Sequence, residues 1–456
     1  NIVVLIQPIN HENENNSPIL ISAHIDGKNR GPAAYDDGAG IAAMLESINL
    51  LVESNQPPSR PIIFLFVGIE ELGLQGSQLF LKYRNCSRHN ENEENGCFIK
   101  RSPNYLNIAS LFNENSSSFL NIESLGPGLP LGIMQKGNGS SATINSLKKV
   151  KGLVFGTFAD DVTKSGLITS TSDAVRFREN SLSGAELLFF VNPTKYHTDR
   201  DSIQDQDNRT KETSFSIFSE INQFMDTYVK FKSTPIMHLQ HLGDAIVAFI
   251  FNNDSPESIE YAKENVVAIG VSPYALVVNM NTSKRISVTL IVIVLSIFVF
   301  YIRGLIIQVL VTFSLQIISL LLVLLILLGL GFLQFHFNSL FYSGSVALSF
   351  IYLLYCGISI YLFIFCFFTS SKNDTSLRIG NPFISQASLI LFDAICVIVL
   401  RNYDTSVIFL WQLIFSIASL FFINYSIIIS VLLNICGFIY IFFTFYLLFD
   451  FLSLYS

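Results

Sequence analysis

The chain of 456 residues has a mean hydropathy of +0.47 and a formal net charge of −7 at pH 7. So apolar an average excludes a single ordinary soluble domain, and an acidic balance without a basic stripe gives nucleic-acid binding no electrostatic support. The average hides a division of the chain, because charged side chains are rare from Ile286 to Phe449. The few in that stretch are Arg303, Lys372, Asp374, Arg378, Asp393, Arg401 and Asp404.

The N-terminal part alternates between strand-like and helix-like patterns. Strand-like apolar runs occupy Ile2–Ile6, Ile19–Ala23, Ile62–Val67, Ser118–Ile122 and Glu186–Val191. Helix-like periodicity occupies Ala39–Glu53, Gly76–Tyr83 and Thr213–Phe251. The alternation predicts an α/β domain over residues 1–251, with a mixed sheet flanked by helices.

The C-terminal part reads as a membrane domain. After a predicted linker over 252–285, six apolar segments follow at about 286–302, 305–333, 343–369, 383–400, 406–423 and 426–449. A hydrocarbon core of about 30 Å needs about 20 helical residues, so these segments predict an all-α transmembrane domain over 286–449 in a lipid bilayer. Asp393 lies inside one of them and is a candidate functional carboxylate. Pairing with a neighbour is the simpler interpretation, and a transport role the less favoured one.

Acidic residues and histidines follow the predicted strands, where α/β sheets bind their ligands. His24 and Asp26 lie two apart, so their side chains share one face of a strand. A carboxylate there can accept the imidazole N–H and turn the other nitrogen toward a metal. Taken alone, such a pair is more often a chance surface pair.

Two further acidic pairs strengthen the case for a metal. Asp36 and Asp37 precede a helix, where one Asp suits the N-cap and the other is spare. Glu70 and Glu71 follow a buried strand, where carboxylates are costly unless paired or metal-bound. One glutamate of this pair can bind metal while its neighbour acts on water. His197, after another apolar run, could complete a nitrogen-and-oxygen shell that zinc accepts.

Taken together, these motifs resemble those of the M28 family of zinc-dependent exopeptidases. They occur in that family's order over about residues 1–250, and the membrane-rich remainder is most similar to the endoplasmic reticulum metallopeptidase branch. The resemblance rests on Ser22-Ala23-His24-Ile25-Asp26, Asp36-Asp37-Gly38-Ala39-Gly40, Phe64 through Ser77, Asn121 through Gly126, Ser172-Asp173 and Tyr196-His197-Thr198.

The resemblance implies a peptide-hydrolysing, aminopeptidase-like enzyme with two Zn²⁺ ions. Its implied residue roles are Asp36 as bridging ligand, Glu70 as general base and Asp26 as the carboxylate behind His24. Glu123 stands where many members carry Asp. The full set of implied metal ligands is His24, Asp36, Glu71, Glu123 and His197.

The resemblance also implies a location and a longer chain. We expect a multi-pass protein of the endoplasmic reticulum membrane with its peptidase domain in the lumen, and a further segment before Asn1. Cys86 and Cys97 could pair in an oxidising lumen or remain free thiols. Several Asn-x-Ser/Thr sequences would permit glycans there.

Two other functions remain open from the sequence. A catalytically inactive peptidase fold could serve as a membrane scaffold or subunit, although a decayed site would be expected to lose ligands, and all five are present. A cyclase of N-terminal glutamine is a third hypothesis, which the membrane domain disfavours. The residues do not identify the substrate side chain or the direction of exopeptidase action.

Overall fold

The computed structural model describes residues 1–8, 17–28, 31–54, 58–86, 118–124, 131–137, 139–157, 159–164, 172–189, 196–202, 235–253, 264–314, 317–318, 382–400, 402–422, 429, 432–433 and 436. The chain divides into two units, Asn1–Asn279 and Met280–Ser456.

The first unit is built on one nine-stranded mixed sheet in the order β1-β3-β2-β4-β7-β5-β6-β8-β9. Strands β2, β3, β4 and β7 run parallel at its centre, and β1 pairs antiparallel with β3 at one edge. The strands are β1 Ile2–Ile6, β2 Ile19–His24, β3 Ile62–Val67, β4 Ser118–Ser124, β5 Leu131–Lys136, β6 Val154–Gly156, β7 Ser183–Phe189, β8 Val266–Val271 and β9 Leu276–Asn279.

Helices cover both faces of this sheet. One apolar cluster joins α1, α3 and α6 to one face, and a second joins α2 and α5 to the other. Burial on both faces explains why the central strand β3 is a continuous apolar run rather than an alternating one. The helices are α1 Gly38–Glu53, α2 Gln75–Cys86, α3 Ser141–Leu147, α4 Ala159–Lys164, α5 Asp173–Glu179 and α6 Pro235–Asn253.

The predicted α/β class with a mixed sheet is confirmed, but one predicted boundary is wrong. The stretch 252–285, predicted as a linker, contributes β8 and β9 to the sheet and begins a new helix at Met280. The first unit therefore extends to Asn279 rather than to residue 251. Of the helix predicted over 213–251, residues 213–234 lie outside the described part of the chain.

The second unit contains α7 Met280–Ile297, α8 Pro382–Val399 and α9 Ser406–Phe422. In the part of this unit that is described, Met280–Phe300 is long and apolar enough to cross a membrane, and three other apolar helices are shorter. The predicted span 343–369 and nearly all of 426–449 lie outside the described residues, as does 305–333 beyond residue 318. The six-span domain therefore stays a prediction. Asp393 on α8 is buried and accepts a hydrogen bond from Ser416 Oγ at 2.7 Å.

Candidate metal centre

The candidate site lies at the carboxyl ends of the central parallel strands. Ser22 of β2 pairs in register with Asn121 of β4, which brings His24 and Glu123, two residues further along, side by side on one face. Glu70 and Glu71 follow β3, the other neighbour of β2. The parallel sheet therefore gathers residues that are far apart in the chain.

Two groups of side chains share Asp36. The first contains His24, whose Nε2 lies 3.2 Å from Asp36 Oδ1 and 3.4 Å from Glu123 Oε1. The second contains His197, whose Nε2 lies 3.2 Å from Asp36 Oδ2 and 3.1 Å from Glu71 Oε1. Each group of three could hold a metal ion. The two oxygens of one carboxylate thus face two different histidines.

The donor chemistry and the pairing of these atoms fit divalent metal. Imidazole nitrogen and carboxylate oxygen are the donors that zinc accepts. Within the described part of the chain, Glu71 Oε1 and His197 Nε2 are both buried, and neither forms a hydrogen bond of good geometry. They face each other across 3.1 Å, where a cation would satisfy both. Buried polar atoms left without a partner are costly, so the arrangement needs such a group.

Electrostatics indicate the same requirement for positive charge. Burial alone would lower the pKa of His197, but the neighbouring carboxylates of Asp36 and Glu71 raise it to about 9. At His24, burial likewise lowers the pKa of the imidazole. The Glu123 and Asp36 carboxylates outweigh this effect and hold that pKa well above its ordinary value. The excess of carboxylates around two imidazoles stabilises any cation placed among them.

The structure shows which of Asp36 and Asp37 caps the helix and which one is spare. Asp37 is the N-cap of α1, and its Oδ1 accepts a hydrogen bond from the Gly40 backbone N–H at 3.2 Å. Its Oδ2 accepts one from the His24 backbone N–H at 3.3 Å. Asp36 is therefore the spare carboxylate and faces the two histidines.

Asp26, predicted as the carboxylate behind His24, makes a different contact from the one expected. His24 Nδ1 lies 2.8 Å from the backbone oxygen of Asp26 and 3.9 Å from its carboxylate. The carboxylate instead accepts the backbone N–H groups of Glu70 and Glu71, at 3.0 and 3.1 Å. The two amides thus occupy both carboxylate oxygens of Asp26. The backbone carbonyl of Asp26 contacts Nδ1 of His24 instead, which leaves Nε2 available to a metal.

Glu70 is a buried carboxyl group among other acids. Burial, and then the negative charge of Glu123, raises the pKa of Glu70 to about 9. The charges of Asp173 and Glu71 add to this rise. A carboxyl group with a strongly raised pKa among other titratable groups is a candidate acid–base group. The backbone just before it is also unusual, because Ile69 has a φ of 62°.

Sequence reasoning assigned no role to several residues that support the site. Asp201 accepts hydrogen bonds from the backbone of the Asp36 loop. Lys28 Nζ lies 3.0 Å from Glu71 Oε2, and the Tyr196 ring stacks on His197 with centroids 3.6 Å apart. On the other side of the loop, Tyr35 Oη lies 3.1 Å from Nδ1 of the buried His238. Their residue types are ordinary at the surface, so only the fold identifies them.

Comparison with known proteins finds similarity to one peptidase family. Residues 1–221 match the sequence profile of peptidase family M28. A vacuolar membrane protease of Schizosaccharomyces japonicus is 28% identical over 233 residues, which is 50% of this chain and 23% of that protein. Endoplasmic reticulum metallopeptidase 1 of Mus musculus is 28% identical over 204 residues, 44% of this chain and 20% of that protein. The chain thus aligns with about a fifth of the length of these relatives.

Among solved structures, a zinc aminopeptidase from Bacillus subtilis is 19% identical to this chain, with a TM-score of 0.34. The match covers 56% of this chain and 51% of the aminopeptidase chain. The profile match and the two named relatives agree with the motif order read from the sequence. Residues 1–221 of this chain therefore match peptidase family M28 and resemble the membrane protease and the metallopeptidase named above.

Proposed function

We propose that this protein is a membrane-tethered zinc metallopeptidase that hydrolyses peptide bonds at a two-zinc site. The observation that carries the proposal is the sharing of Asp36 between two groups of three potential ligands. A single structural zinc would need only one closed set of four ligands. Two adjacent sets joined by one carboxylate are instead typical of co-catalytic hydrolase centres.

The ligand roles follow from this geometry. His24 and Glu123 would hold one ion, Glu71 and His197 the other, and Asp36 would bridge them. Zinc bound there would polarise the scissile carbonyl and bring the pKa of a coordinated water toward neutrality. Metal charge would also offset the raised pKa of Glu70, because a nearby cation favours the ionised carboxylate.

Glu70 is then the proton carrier of the reaction. As a carboxylate it accepts the proton of the attacking water, and as the acid it delivers that proton to the leaving amine. Asp26 assists by holding the backbone of Glu70 and Glu71 through its two oxygens. The motif resemblance implies an aminopeptidase-like enzyme, and on that ground we infer that it removes residues from the N-terminus of peptides.

The proposed location is the endoplasmic reticulum membrane, with residues 1–279 in the lumen. Support comes from the apolar helix Met280–Phe300 and from relatives whose names include a vacuolar membrane protease and an endoplasmic reticulum metallopeptidase. The relatives' two names refer to different membranes, but both belong to the secretory system.

A Glu70→Gln substitution tests the catalytic assignment. It removes the proton-accepting carboxylate but retains the shape of the side chain, so we expect hydrolysis of free-amino-terminal peptides to fall by about 10²–10⁴-fold. Zinc content, measured by elemental mass spectrometry, should not change. Glu46→Gln on the exposed side of α1 is the matched control and should behave as wild type.

Two results would contradict this account. If Glu70→Gln loses zinc together with activity, Glu70 is a ligand rather than the base. If the wild-type chain binds zinc and cleaves no peptide in a library with free amino termini, the inactive scaffold becomes the better explanation.

A further inference from the structure

We propose that Asp201 is a positioning residue of the metal centre, which fixes the bridging Asp36 relative to His197. This inference rests on the proposed function and deepens it, because it names what holds the two halves of the centre together. Asp201 itself contacts neither histidine in this role. It acts on the backbone of the loop that carries Asp36.

The contacts of Asp201 form a clamp on three consecutive backbone amides. Its Oδ1 accepts the N–H of Tyr35 at 3.0 Å, and its Oδ2 accepts the N–H of Asp36 at 3.1 Å. Its own backbone oxygen accepts the N–H of Ala34 at 3.1 Å. The side chain is only 2% exposed, so these bonds are shielded from water. Hydrogen bonds to an ionised acceptor are stronger than neutral ones.

The same short segment carries His197. The Asp201 backbone N–H donates to the Thr198 carbonyl at 3.2 Å, which closes a turn between the two residues. This turn lies directly against the Asp36 loop, since a Cβ placed on Gly31 would come within 2.3 Å of that Thr198 oxygen. The clamp therefore ties the loop of one ligand to the turn of another.

The clamp formed by Asp201 has a counterpart in the contacts of Asp26. Asp26, two residues after His24, accepts the N–H groups of Glu70 and Glu71. In both cases an Asp just downstream of a histidine holds two successive amides of a turn that carries a carboxylate ligand. Only a carboxylate offers two acceptor oxygens at this spacing, because an amide side chain would turn an N–H₂ donor toward one of the N–H groups.

The test compares Asp201→Asn with Asp199→Asn in the full chain. Asp199 is an exposed acid of the same segment, so the control removes the same charge without touching the clamp. Zinc affinity is measured by competition with a chelator, and the Co²⁺-loaded proteins are compared by visible absorption. We expect Asp201→Asn to weaken at least one zinc site by about 10–100-fold and to change the cobalt spectrum. Asp199→Asn should match wild type in both.

The outcomes separate this inference from the proposed function. A wild-type chain that binds no zinc contradicts the proposed function itself. A folded Asp201→Asn variant with wild-type zinc affinity and cobalt spectrum overturns the clamp, even if its melting temperature falls. Should Asp201→Asn not fold, Asp201→Glu replaces it, since Glu keeps both oxygens on a side chain one methylene longer. Weaker zinc binding by that variant would support the clamp, and unchanged affinity would overturn it.

Discussion

At the scale of single residues, the candidate metal centre depends on four aspartates with different contacts. Asp36 faces two histidines, Asp37 caps α1, and Asp26 and Asp201 hold backbone amides. These four aspartates thus serve three separate purposes. A substitution at any one of them is expected to produce its own defect rather than a common loss of folding.

Two glycines give a matched test of packing near this sheet. A Cβ on Gly184 of β7 would lie 2.1 Å from the Phe119 backbone oxygen, whereas a Cβ on Gly243 of α6 would meet nothing within 4 Å. We expect Gly184→Ala to lower the free energy of unfolding by about 1–3 kcal/mol, because the backbone must move. Gly243→Ala should raise it by about 0.5–1 kcal/mol, because Ala favours a helix. Denaturant unfolding of both variants is the measurement, and equal effects would contradict the packing described.

Every residue of the two groups that could hold a metal is also a candidate ligand in the sequence, but the sequence does not separate all of their roles. Either Asp36 or Asp37 suits an N-cap, and only the folded loop decides which one caps α1. Asp201 sits in the polar run Thr198–Asp201, which resembles a solvated surface turn. Its burial depends on the docking of that turn against residues 31–36, a contact between distant parts of the chain.

At the scale of elements, burial explains which strands the sequence revealed. Residues of β2, β3 and β4 are buried throughout, so their apolar runs stand out in the sequence. The strand β6 has three residues, and β9 has four that are only half-buried. Such short strands near the edge of a sheet are formed by pairing with partners that one sequence does not reveal. That is the physical reason why the sequence does not reveal β9, whereas β8, six residues long and mostly buried, is an apolar run that the linker prediction overlooks.

The helix α7 provides a prediction at this scale. Because Met280–Phe300 is long and apolar enough to cross a bilayer, the full chain should stay with microsomes after an alkaline carbonate wash. A chain that ends at Asn279 should be released by the same wash. In sealed microsomes, added trypsin should leave residues 1–279 intact if they are lumenal. Release of the full chain would contradict the membrane assignment.

At the scale of the whole molecule, one unit of the chain contains the buried, acidic candidate metal centre, and the other contains apolar helices. The first unit provides every residue that the proposed chemistry needs. The second provides no group that this chemistry uses among its described residues. The proposed division is therefore between catalysis in residues 1–279 and attachment to a membrane by the remainder.

The most direct test of the central claim is the zinc content of the purified full chain, measured by elemental mass spectrometry beside Asp36→Asn. Because one carboxylate serves both ligand groups, we predict about two zinc ions per wild-type chain and strongly reduced occupancy of both sites in the variant. A wild-type chain with one zinc or none, or an Asp36→Asn variant that keeps two, would contradict a shared two-metal centre.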